Sequence, residues 1–260
     1  MCRLLIGSKN MVSAYDRNNN VLSLLQHLER QCGGHGNGLA LLRKGKLIHM
    51  QKGVSFTVSE AAERLRKEAY DFAIFHTRIA SVGAVEDALC HPYVAENDVM
   101  AMNGTLSDLK SVANAVSSTD TEIAFRLVQR KSLEETVKIL KALPAVFVGI
   151  CNGKPYVVRS YGDLEEWALP TQQKSRRDFL FASSFPNGIR GCAIWYGGHG
   201  GSFTFADGLR KETQKESTTT WGNYYYTSSF SAASSYDDEI DAAYEEGFIH
   251  GYEEGYAAMK

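Results

Sequence analysis

The chain has 260 residues, 28 Lys and Arg against 30 Asp and Glu, a formal net charge of −2 and 44% hydrophobic content. That balance is ordinary for a globular protein and offers no basic field for nucleic acid, and no apolar run reaches the ~18–20 residues that span a bilayer. Its five cysteines (Cys2, Cys32, Cys90, Cys151 and Cys192) are odd in number and scattered, with no C-x-x-C pair, which argues against zinc ribbons and dithiol redox chemistry and fits reduced thiols in a cytoplasm.

Arg3 to Ser8 reads as a buried strand, preceded by Cys2 directly after Met1. A small second residue favours removal of the initiator methionine, and no secretory signal precedes the strand. Removal would leave Cys2 with a thiol and a free α-amino group. Such an amine titrates near ~7.7–8.0, so its neutral form can take the thiol proton. The alternative is an ordinary buried small side chain at a chain start.

Val21 to Leu28 predicts a short helix with leucines at three-residue spacing, and Cys32 to Gly38 carries four glycines and predicts a loop. Leu39 to Leu42 and Leu47 to Met50 predict a hairpin, and Thr57-Val58-Ser59-Glu60 is a capping box before a helix with Ala61, Ala62, Leu65 and Ala69 on one face. Phe72 to His76 predicts a strand running into Thr77-Arg78, and Val99 to Met102 another that stops at Asn103-Gly104. A helix follows, expected to turn Leu106, Leu109, Val112 and Val116 inward. Ser132 caps the next, which ends before Pro144. Ala145 to Ile150 and Tyr156 to Arg159 flank Asn152-Gly153, a strong hairpin signal, and Phe179 to Ser183 and Cys192 to Trp195 complete the strands. Hairpins interrupted by helix pairs predict antiparallel sheets with helices outside, not a doubly wound α/β fold.

Past residue 210 the composition shifts. Residues 211–235 are rich in Ser, Thr and Tyr and read as a linker. In 236–260, Ile240, Tyr244, Phe248, Tyr252 and Tyr256 recur every four residues beside Gly247, Gly251 and Gly255, one face of an amphipathic helix. Such a tail either folds back, stays disordered, or docks on another protein or a second copy. Its acids argue against an anionic membrane.

Several residues can carry chemistry. Asn103-Gly104 offers a side-chain and a backbone N–H for an oxyanion, or is simply a turn. Arg78 presents a planar fork for a carboxylate, or is a solvated strand end. Asp120 can bind an ammonium or cap the helix after it. His76, His91 and His35 show no metal-ligand spacing, and no metal or cofactor is expected.

The order of these motifs is informative. Cys2, then His76-Thr77-Arg78-Ile79-Ala80-Ser81-Val82-Gly83, His91-Pro92-Tyr93, Asn103-Gly104 and Thr119-Asp120-Thr121-Glu122 resembles the class II (N-terminal nucleophile) glutamine amidotransferases, in particular the glutaminase domain of glucosamine-6-phosphate synthase. The resemblance covers roughly residues 2–205, with its motifs concentrated in 2–125. It implies an α+β fold, a four-layer α/β/β/α sandwich of two antiparallel sheets occupying 1–210. It implies Cys2 as nucleophile, Asn103 and Gly104 as oxyanion hole, and Arg78, Thr77, His76 and Asp120 around the substrate, Arg78 gripping its α-carboxylate and Asp120 its α-ammonium. The sequence departs from the family at Gly33 to Gly38, where Arg-Gly-Pro-Asp-Gly is common, and at Ile79, where an aromatic residue is common. No synthase domain follows, so the expected activity is that of a stand-alone glutaminase-type enzyme in the cytoplasm. Ammonia would pass to a partner protein or to none. Alternatives are an amidohydrolase for another γ-glutamyl or amide substrate, and a non-catalytic assembly module.

Overall fold

Strand β1 (Arg3–Ser8) is apolar on both faces because both faces are covered. The computed structural model describes residues 2–159, 167–168, 179–185, 193–196, 202–205 and 219–220. On one side β1 pairs with β4 (Phe72–Thr77), which pairs with β2 (Asn37–Arg43) and through it with β3 (Lys46–Gly53). On the other side it pairs with β10 (Leu180–Ala182), followed outward by β11 (Ala193–Tyr196), β12 (Ser202–Phe205) and β13 (Thr219–Thr220). These eight strands form one sheet. A second sheet orders β5 (Tyr93–Ala95), β6 (Asp98–Asn103), β7 (Val146–Cys151), β8 (Lys154–Arg159) and β9 (Trp167–Ala168). Every strand pairing is antiparallel.

Side-chain alternation divides the interior into three cores. Leu5, Leu39, Leu41, Ala73 and Phe75 face the helices α1 (Lys9–Asn19), α2 (Val21–Cys32) and α3 (Val58–Lys67). Their neighbours Leu4, Ile6, Ala40, Leu42 and Ile74 turn the other way and meet Val99, Ala101, Val146, Val148 and Val157 of the second sheet. The opposite face of that sheet, with Met100, Met102, Phe147, Tyr156 and Val158, packs on Leu106 and on α5 (Asp120–Val128) and α6 (Leu133–Lys141). Three cores separate four layers: helices, sheet, sheet, helices. The expected four-layer sandwich is the fold.

Local signals place most elements. The capping boxes at Thr57 and Ser132 form as read, each hydroxyl accepting from the N–H three residues on and each Glu accepting in return. The Asn152-Gly153 hairpin joins β7 to β8. One element went unread and one reading is corrected. Helix α1 has no apolar period strong enough to stand out in its polar sequence, yet it buries Met11, Val12 and Tyr15. In α4 (Ser107–Ala115) the expected inward stripe is half wrong. Leu106 and Ala113 are buried and Leu109 partly so, whereas Val112 and Val116 are 49% and 53% exposed. Leu106, Leu109 and Ala113 define the buried face of this short helix, and residues 112 and 116 turn away from it.

Among the described residues no helix is long and apolar enough to cross a membrane. The segment read as a linker is described only at Thr219–Thr220, and the amphipathic tail at 236–260 lies outside the described residues.

Candidate active site

The ends of β1, β4 and β6 carry the residues singled out from the sequence. In the β1–β4 register Arg3 stands opposite Thr77, so Cys2 leaves its strand where Arg78 leaves its own. Cys2 is buried, and its Sγ donates to the Ile79 carbonyl at 3.5 Å. Burial dominates and pushes the thiol pKa up, while the charges of Arg78 and Asp120 add weaker influences in opposite directions.

Arg78 is buried rather than solvated, at 1% exposure. Its guanidinium donates to the carbonyls of Ala84 (2.7 Å) and Val82 (2.9 Å), folding the following loop back over the strand end. Its backbone bonds both ways with the glycine-rich loop: its N–H donates to Gly36 O and its carbonyl accepts from His35 N. His35 Nδ1 in turn accepts from Ala80 N at 2.9 Å. A Cβ on Gly38 would lie 1.9 Å from the His91 carbonyl, which only glycine permits. The four glycines at 33–38 announced a loop; the segments it holds in place were not legible.

Asn103 ends β6 opposite Val146, buried, with its Oδ1 unpartnered among the described residues. Gly104 follows at φ +145°, and a Cβ there would sit 2.8 Å from that of Ala145, so the turn needs glycine on both counts. This turn does not close a hairpin; it carries β6 into α4. The 103–106 segment is anchored by Asp120, whose Oδ2 accepts from Leu106 N at 2.7 Å while Oδ1 accepts from Thr121 N at 3.0 Å. Capping of α5 falls to Thr119, not Asp120: the threonine hydroxyl accepts from Glu122 N. Burial raises the Asp120 carboxyl pKa, opposed by those backbone N–H groups and by Arg78. Ser81 and Thr105 share a hydroxyl hydrogen bond of 2.9 Å that links the loop after Arg78 to the turn after Asn103.

His76 and Thr77 are fully buried on β4. The Thr77 hydroxyl has no partner among the described residues. His76 Nε2 lies 3.1 Å from Met102 O and 3.1 Å from His91 Nδ1, so its ring spans the gap between the sheets. Burial lowers its pKa to about 3, which keeps it neutral. The links supplied by His35, His91, Ser81 and Thr105 join segments far apart in sequence, and no local pattern marks them. Among the described residues no three His, Cys, Asp or Glu side chains are grouped to hold a metal ion.

No protein-family model matches the chain, and no curated protein matches it. Solved structures do. The glutamine phosphoribosylpyrophosphate amidotransferase from B. subtilis matches with a TM-score of 0.42 at 17% identity, over 76% of this chain and 40% of that one. The allosteric regulatory enzyme of purine biosynthesis matches with a TM-score of 0.44 at 19% identity, over 76% and 40%. A glutamine aminotransferase class-II domain protein from Silicibacter pomeroyi matches with a TM-score of 0.38 at 15% identity, over 75% and 98%. The chain therefore spans 40% of the length of the first two. The four-layer arrangement stands on the strand pairing and the three cores described above.

Proposed function

We propose that the protein is a cytoplasmic amidohydrolase of the class II glutamine amidotransferase type, with Cys2 as its nucleophile and glutamine as its substrate. After loss of Met1, the α-amine of Cys2 takes the proton from Sγ, and the thiolate attacks the γ-carboxamide carbon. The carbonyl electrons move onto oxygen, where the Asn103 side-chain N–H and the Gly104 N–H receive the charge. The ammonium of Cys2 returns its proton to the departing nitrogen, ammonia leaves and a thioester remains. Water then cleaves that bond to give glutamate and the free thiol. Arg78, with five N–H donors, offers its fork to the substrate α-carboxylate, and Asp120 offers its carboxylate to the α-ammonium. The ammonia goes to water or to a partner protein.

The observation that carries this reading is the placement of the Cys2 thiol: buried, bonded to the Ile79 carbonyl in the loop after β4, at the strand end where Arg78 leaves its own strand. A buried thiol with a raised pKa needs a base, and loss of Met1 supplies one on the same residue. The test is glutamate release from glutamine by wild type and by Cys2→Ala, together with the intact mass. A mass lacking Met1 and activity abolished in the variant are expected. Retained Met1 in an active enzyme, or full activity in Cys2→Ala, refutes the mechanism. Turnover of γ-glutamyl compounds but not of glutamine moves the substrate assignment and leaves the chemistry.

A further inference from the structure

The buried imidazole pair between the sheets has no role in the mechanism above. His76 projects from β4 of the larger sheet and reaches the Met102 carbonyl on β6 of the smaller one at 3.1 Å. A carbonyl only accepts, so Nε2 of His76 carries the proton. His91 Nδ1, 3.1 Å from the same nitrogen, then faces that N–H as an acceptor. The two rings are tilted by 38° with centroids 4.2 Å apart, and the His91 ring centroid lies 5.2 Å from that of Tyr93. The Tyr93 hydroxyl bonds Thr119 Oγ1 at 2.8 Å, and Thr119 is the cap of the helix that begins with Asp120.

The network thus grips the Asn103-Gly104 turn on both flanks. Met102, one residue upstream, is held by His76; Leu106, two residues downstream, is held by Asp120. A purely structural reading accounts poorly for the histidine. Its Nδ1 is buried without a partner among the described residues, and a buried unpaired polar atom costs ~1–3 kcal/mol, which an apolar ring of similar shape avoids. The donor stands at this point despite that cost, and its carbonyl partner is the peptide entering the turn.

We infer that His76, backed by His91, is a positioning residue that aims the Asn103 side chain and the Gly104 N–H at the developing oxyanion, an inference that rests on the amidohydrolase reading above. A displaced oxyanion donor affects the transition state more than the bound substrate. His76→Phe keeps the ring and loses the donor, whereas His76→Gln keeps an N–H on a flexible stem. For His76→Phe, kcat for glutamine should fall ~10–100-fold, because misplacement of about 1 Å costs on that order, with KM little changed. His76→Gln should recover most of the loss. Alkylation of Cys2 by iodoacetamide, read on the N-terminal peptide, should keep its wild-type rate, because that displacement develops no oxyanion.

An unchanged kcat in His76→Phe overturns the inference. So does a rise in KM at constant kcat, which would place His76 at the substrate, or a His76→Gln variant no better than His76→Phe, which would make the role one of packing. Should His76→Phe not fold, His91→Phe serves instead, with a smaller fall in kcat expected and an unchanged one counting against. A wild-type protein that releases no glutamate removes the functional reading and this inference together. An active wild type with an equally active His76→Phe removes the inference alone.

Discussion

Apolar burial seats both helical layers, and α4 adds a buried polar tether to one of them. Over the larger sheet, α1 to α3 are seated by apolar burial: Leu24, Leu25, Leu28, Ala61, Ala62 and Leu65 are all essentially inaccessible. Over the smaller sheet, α4 presents Val112 and Val116 to solvent and is tied down where it begins, through the bond from Leu106 N to Asp120. Helices α5 and α6 of that layer pack on the smaller sheet through Ala124, Phe125, Val128 and Leu140, so the buried carboxylate is a tether added where α4 leaves Asn103-Gly104. Apolar contacts seat most of these helices. One pinned at its first turn fixes the strand end that leads into it, which is what an oxyanion cradle at Asn103-Gly104 requires.

Substitutions on the two sides should therefore report on different quantities. Leu65→Ala, in the layer over the larger sheet, is expected to lower stability by ~2–5 kcal/mol through lost burial and a cavity, with the folded enzyme keeping its kcat; chemical denaturation and steady-state kinetics check both halves. Asn103→Ala, at the pinned turn, should do the reverse and reduce kcat by roughly 10²–10³, about 2.7–4 kcal/mol of transition-state stabilisation, with a small change in unfolding midpoint. Asp120→Ala tests whether one residue serves both ends. It leaves Leu106 N–H without its partner, at ~1–3 kcal/mol of stability, and should also raise KM for glutamine. A stability loss with unchanged KM would confine Asp120 to the fold.

Acid should weaken the join between the sheets. Burial holds His76 at about 3 and His91 well below 6.5, while in the unfolded chain both return to ordinary values near ~6.5. Between those limits the unfolded state binds more protons, so stability is full above about pH 6.5 and declines as pH falls toward 3. Thermal midpoints measured between pH 7 and pH 5 should fall in wild type and fall less steeply in His76→Phe. The smallest effect is expected from Val112→Ala and Val116→Ala, within ~0.5 kcal/mol of wild type. A larger loss in a denaturation curve would mean that Val112 and Val116 are covered, and would make the tether at Leu106 a minor part of how α4 is seated.

Legibility from sequence followed the same division. Runs such as Leu39 to Leu42 and Val146 to Ile150 identify strands buried on both faces, and the capping boxes at Thr57 and Ser132 identify helix starts, because those signals reside in adjacent residues. Helix α1 escaped because its inward residues Met11, Val12 and Tyr15 are too few to impose a period on a polar segment. The stripe assigned to α4 failed at Val112 and Val116 because apolar spacing gives a face but not whether anything covers it.

At the site, residue type and order alone singled out Cys2, Arg78, Asn103, Gly104 and Asp120. Their chemistry is a property of the side chains: a thiol next to an amine, a fork for a carboxylate, a glycine that permits φ +145°. Only the tertiary structure decided what each one touches. It buried Arg78 against the carbonyls of its own loop, gave Asp120 to the N–H of Leu106 and left the helix cap to Thr119. It also set His76 across the gap between two sheets, on the carbonyl of a residue 26 positions away. Such partnerships depend on how the strands register and how the layers stack, which is settled by burial summed over the whole chain and leaves no mark on any short stretch of it.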